Sequence, residues 1–82
     1  MYKAKIYITL KPTVLDAQGA VVEKALKALG YETVSGLRIG KYIEASLNGG
    51  SRPEAERQVG EMCQKLLANP IIESYRFELE EA

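Results

Sequence analysis

The strongest constraint on the fold is the phase of the apolar residues between positions 33 and 48. One continuous strand places every odd-numbered apolar side chain on the same face, because successive strand residues point to opposite faces. These residues are Leu37, Ile39, Ile43, Ala45 and Leu47. A two-residue turn at Gly40-Lys41 would divide them between two faces and bury neither set. The phase therefore predicts one strand, bent near its glycines, although a split into two strands stays open.

The length of this strand has a consequence for assembly. Residues 33–48 would span about 50 Å, whereas a typical strand has about 5–6 residues. A chain of 82 residues has a small core and offers no partner for such a length. We therefore expect half of the strand to pair with another copy of the chain, which gives a dimer or a larger assembly.

The first predicted helix has clear signals at both ends. Asp16 is the expected N-cap, since its carboxylate can accept from the first free backbone amides. The helix then runs to about Leu29, and Gly30 follows as the residue after the C-cap. Its apolar residues recur at helical spacing and are expected to be buried. They are Val22, Ala25, Leu26 and Leu29.

The second predicted helix begins at a capping box formed by Ser51 and Glu54. It is expected to stop at Asn69-Pro70, because the residue before a proline avoids the helical region. Its predicted apolar stripe consists of Ala55, Val59, Met62, Cys63 and Leu66.

Two further segments alternate between apolar and polar residues, as half-buried strands do. The first runs from Tyr2 to Leu10, and the last covers residues 71–82. The resulting order, β-α-β-α-β, predicts an α+β two-layer sandwich with both helices on one face of a mainly antiparallel sheet, related to ferredoxin-like folds. Residues 1–82 are expected to form a single domain.

Composition argues against several function classes. The formal net charge is zero, which disfavours a general nucleic-acid binder. The charge is nevertheless uneven, because residues 1–41 hold seven cations and three anions whereas residues 42–82 hold four cations and eight anions. No apolar run approaches the ~18 residues of a membrane span, so we expect a cytoplasmic protein without a membrane partner.

No catalytic, cofactor or metal site is evident in the sequence. Histidine is absent and Cys63 is the single cysteine, so the usual zinc sets and thiol–imidazole pairs cannot form. The expected role of Cys63 is that of a small buried residue. Lys41 interrupts the apolar phase, and a cation on that face requires either an exposing bend or an acidic partner from another chain.

Three segments resemble PurS, the small subunit of bacterial and archaeal phosphoribosylformylglycinamidine synthase. They are "LKPTVLDAQG" at 10–19, "LRIGKYIE" at 37–44 and "MCQKLLANPIIESYRFE" at 62–78. The resemblance covers nearly the whole chain, with Ala17 standing where the family commonly has proline. It implies a non-catalytic subunit in purine biosynthesis that joins a glutaminase subunit to a large synthetase subunit and supports ammonia transfer between them.

The resemblance also implies properties of the assembly. The chain would bind no cofactor itself, whereas the complex uses ATP and magnesium, and the chain would associate with itself as a dimer or tetramer. We expect contacts between chains at Arg38, Gly40, Lys41 and Tyr42. Asp16 and Asn69 are expected to serve as helix cap and helix stop. The alternative is a stand-alone dimeric domain that senses a small molecule.

Overall fold

The computed structural model describes residues 1–81. It contains strands β1 (Tyr2–Leu10), β2 (Gly40–Leu47) and β3 (Glu73–Glu81), and helices α1 (Ala17–Ala28) and α2 (Arg52–Met62), the latter continued by a π-helical turn (Cys63–Leu67). The strands form one antiparallel sheet in the order β2-β1-β3. The predicted α+β class and the β-α-β-α-β order are confirmed.

The core lies between the sheet and α2. The central strand β1 buries its even-numbered side chains, and Ile6 pairs with Ile43 in β2 and Phe77 in β3. The helix presents its apolar stripe to this face, as expected for an amphipathic helix on a half-buried sheet. The fully buried residues of this core are Ala4, Ile6, Ile8, Val59 and Cys63.

The middle strand is single but shorter than the predicted one. Gly40 and Lys41 both lie inside β2 and pair with β1, so no hairpin turn occurs there. The prediction of a continuous strand over residues 33–48 is wrong within this chain, because β2 contains eight residues. A strand needs a neighbour for its backbone groups, and β1 ends at Leu10, so the residues before Gly40 have no intrachain strand to pair with.

Helix α1 does not pack on the sheet as α2 does, and its one buried residue is Gly19. The predicted buried stripe is wrong for the isolated chain, because Leu29 is 74% exposed and Ala25 is also exposed, whereas Val22 and Leu26 are half-buried. The chain is consequently extended, with dimensions of 50 × 27 × 14 Å. Its radius of gyration is 16.2 Å, against about 12 Å for a compact domain of this length.

The end of α2 departs from the predicted helical phase. The backbone amide of Ala68 donates to the carbonyl of Cys63 at 2.9 Å, an i→i+5 bond that widens the last turn. This extra residue rotates the side chains that follow, so that Leu67 packs against the core and Leu66 is 83% exposed. The assignment of Leu66 to the buried stripe is therefore wrong.

Candidate functional site

Of the residues predicted to contact other chains, Arg38 lies in the segment before β2, whereas Gly40, Lys41 and Tyr42 lie in β2 itself. The guanidinium of Arg38 donates to the backbone carbonyls of Lys11 (3.0 Å) and Val14 (2.9 Å). It therefore ties the loop before α1 to the segment that leads into β2. This intrachain role gives Arg38 a structural function that the sequence pattern does not reveal.

Two carboxylates hold the same segment against the start of α1. Asp16 is the N-cap, and its Oδ1 accepts from the amide of Gly19 at 2.9 Å while its Oδ2 accepts from the amide of Ile39 at 2.7 Å. Glu23 accepts from the amide of Leu37 at 3.0 Å. The carboxylates thus bind alternate backbone amides, which a neighbouring strand would otherwise bind.

These contacts lower the pKa of the Asp16 carboxyl. Its pKa is lowered from 3.8 chiefly by the amide of Ile39, then by the amide of Gly19 and by the charge of Arg38, while burial acts in the opposite direction. Hydrogen bonds from backbone amides favour the ionised form. Asp16 is therefore a charged cap whose two oxygens are both engaged.

Lys41 finds its acidic partner within the chain. It lies on the apolar face, opposite Ile8, and its Nζ is 3.4 Å from Oε2 of Glu73 at the start of β3. The pKa of Glu73 is lowered, first by the backbone amide of Asn69 and then by Lys41. An acidic partner from another chain, one of the two arrangements expected for Lys41, is thus not needed.

Gly40 and Tyr42 occupy β2 on the opposite face. A Cβ added to Gly40 would lie 2.5 Å from the carbonyl oxygen of Ile8, so the close approach of β1 and β2 requires glycine here. Tyr42 is 52% exposed, and its ring centroid lies 5.1 Å from that of Tyr7. Its hydroxyl donates to Glu44 at 2.7 Å, which is the first cause raising the pKa of Tyr42 to about 12.

The structural residues predicted at the helix ends lie at or next to the ends of α1 and of α2 with its π-helical turn. Ser51 is the N-cap of α2 and accepts from the amide of Glu54 at 3.4 Å, but the Glu54 carboxylate pairs with Arg57 rather than completing a capping box. Gly30 has a φ of 105°, which favours glycine. The Asn69 side chain accepts from the amide of Ile71 at 3.1 Å, so Asn69 and Pro70 begin the turn towards β3.

A cleft of about 260 Å³ opens beside the Lys41–Glu73 pair. Its charged groups are engaged within the chain: Asp16 by two backbone amides, and Lys41 and Glu73 by each other. The lining residues are Ile8, Leu10, Asp16, Gln18, Ile39, Gly40, Lys41 and Glu73.

Among residues 1–81, no three His, Cys, Asp or Glu side chains converge as a metal site would require. Neither helix in that range is long and apolar enough to span a membrane.

The exposed apolar residues of α1 and its flanking segments are the feature that sequence reasoning missed. Leu15, Val21, Leu29 and Tyr31 are 83%, 69%, 74% and 59% exposed, respectively. Apolar surface of this extent typically marks a site of association. The fold and these surfaces define a class of protein: a small α+β domain with an arm, residues 15–39, that exposes apolar side chains instead of packing them onto its own sheet.

Comparison with known proteins identifies the family. The model of the family described as "PurS: Phosphoribosylformylglycinamidine (FGAM) synthase" matches residues 3–81. The PurS subunit of Bacillus subtilis is 49% identical over 81 residues, covering 99% of this chain and 95% of the relative. The chain belongs to the PurS family, the small subunits of phosphoribosylformylglycinamidine synthase in purine biosynthesis.

Solved structures agree with this assignment. PurS of Methanocaldococcus jannaschii superposes with a TM-score of 0.90 at 36% identity, over 100% of this chain and 99% of that one. A chain of the Thermotoga maritima structure described as PurLQS gives a TM-score of 0.89 at 28% identity and covers 96% of both chains. These matches favour a subunit of a synthase complex over the alternative of a stand-alone sensor.

Proposed function

We propose that this chain joins the glutaminase subunit to the large synthetase subunit of phosphoribosylformylglycinamidine synthase and supports ammonia transfer between them in the cytoplasm. The observation that carries the proposal is the match to the Thermotoga maritima PurLQS chain over 96% of both chains. A small domain with an uncovered apolar arm has the surface that a connecting subunit needs. ATP and magnesium are assigned to the large subunit, as the family resemblance implies.

The chain's own chemistry supports a non-catalytic role. Its single cysteine, Cys63, is fully buried, and burial raises the pKa of the thiol from 9.0. A thiol in an apolar core is a poor nucleophile because the reactive thiolate is disfavoured. The charged groups of the cleft beside β2 hold backbone amides and each other, so they act as structural groups.

We propose that the subunit acts as a two-fold dimer in which each arm covers the partner's sheet. Ile43 and Phe77 are only partly buried under α2, and the exposed apolar residues of the arm are suited to covering them. Asp16 and Glu23 occupy one edge of residues 37–39, which leaves the other edge, with the amide of Arg38, to pair with a partner strand. Pairing there would also complete the long strand expected from the sequence.

Reconstitution tests the connecting role. The chain is mixed with candidate glutaminase and synthetase subunits, and glutamine-dependent amidine formation is compared with the mixture lacking the chain. We expect the rate to rise when the chain is present, whereas activity with free ammonia should change little, because the connection serves ammonia transfer. Equal glutamine-dependent rates with and without the chain would contradict the proposal.

The predicted contact residues have their own test. The double reversal Arg38→Glu/Lys41→Glu is expected to weaken assembly of the complex, measured by sedimentation of the mixed subunits. Lys65→Glu, which reverses an exposed cation on the π-helical turn, is the matched control. Circular dichroism of the double variant is needed because Arg38 also holds the loop before α1. Undiminished assembly of a folded double variant would show that these residues lie outside the contacts.

A further inference from the structure

We draw no further inference here: the strongest candidate, the apolar groove of about 420 Å³ that Met62, Leu66 and Leu67 line along the end of α2 and its π-helical turn, carries nothing because nothing in the structure shows what covers it.

Discussion

Asp16 and Ile39, near the two ends of the arm, are joined by one hydrogen bond, in which the backbone amide of Ile39 donates to Oδ2 of Asp16 at 2.7 Å. The other oxygen of the same carboxylate caps α1 through Gly19. A single side chain therefore sets both where α1 begins and how residues 37–39 approach the sheet. Asp16 and Ile39 both belong to the arm that we propose to cover a partner's sheet, so their hydrogen bond closes the arm at its base, next to the first residue of β2.

The Asp16 contact predicts a specific dependence of stability on pH. The pKa of Asp16 is lower in the folded state than its ordinary value of 3.8. Its contribution to the free energy of unfolding is therefore complete above that ordinary value and is lost as pH falls through the lower folded pKa. Asp16→Asn should unfold at a lower urea concentration than the wild type at neutral pH, with the difference shrinking in acid.

The measurement is a series of urea transitions between neutral pH and about pH 2. Glu44, Glu54 and Glu73 also have lowered pKa values, so the variant should keep part of the acid dependence. Glu32→Gln, which removes an exposed carboxylate in the loop after α1, is the control. A gap between wild type and Asp16→Asn that stays constant down to the lowest pH would contradict the assignment.

Gly40 and Gly60 form a matched pair for testing the close approach of β2 to β1. Gly40→Ala places a methyl group 2.5 Å from the carbonyl oxygen of Ile8, and because backbone cannot move aside freely, we expect a loss of about 1–3 kcal/mol. Gly60 lies in α2 with open space around its Cβ position, so Gly60→Ala should instead gain about 1 kcal/mol from helix propensity. Urea denaturation of both variants gives the two changes, and a stabilised Gly40→Ala variant would show that the strands are farther apart.

Local signals in the sequence predict local structure well, and the misses have long-range causes. The position of Asp16 before the first helix predicts its role as the helix cap. Its hydrogen bond to Ile39 spans 23 residues, and no local sequence pattern predicts a contact of that range. Lys41 is correctly placed on the apolar face by strand phase. Its partner Glu73 lies in β3, beyond an entire helix. The two meet because β2 and β3 both pair with β1, which places Lys41 beside Ile8 and Glu73 beside Leu10 on the same face.

The misplaced helical stripes have a related explanation. Periodicity identifies which residues of α1 need cover but not whether that cover comes from the same chain, so it places Leu29 in the core although this side chain is exposed. At the end of α2 the helical period itself changes. The π-helical turn, in which the amide of Ala68 donates to the carbonyl of Cys63, shifts the phase and exchanges the environments of Leu66 and Leu67.

Because Leu67 packs on the core and Leu66 is exposed, we expect alanine substitutions at these adjacent positions to change the free energy of unfolding by different amounts. Leu67→Ala removes a side chain packed on the core and should lower the free energy of unfolding by about 2 kcal/mol. Leu66→Ala changes a side chain that is 83% exposed, and the effect should stay within about 0.5 kcal/mol. Thermal or urea unfolding of the two variants under identical conditions provides the comparison. The reverse order of effects would mean that α2 keeps its regular period through Leu67.

Cys63 offers a chemical probe of the same core. Its thiol is fully buried and burial raises its pKa, so alkylation requires the core to open. Because an open core is a minor species in a stable domain, iodoacetamide should label native Cys63 at least about a thousandfold more slowly than the unfolded chain. The single cysteine makes mass spectrometry of the intact chain a direct readout. Leu67→Ala should speed native labelling in proportion to its loss of stability, whereas Leu66→Ala should not. Rapid native labelling of the wild type would show that Cys63 is accessible and that the core beneath α2 opens independently of global unfolding.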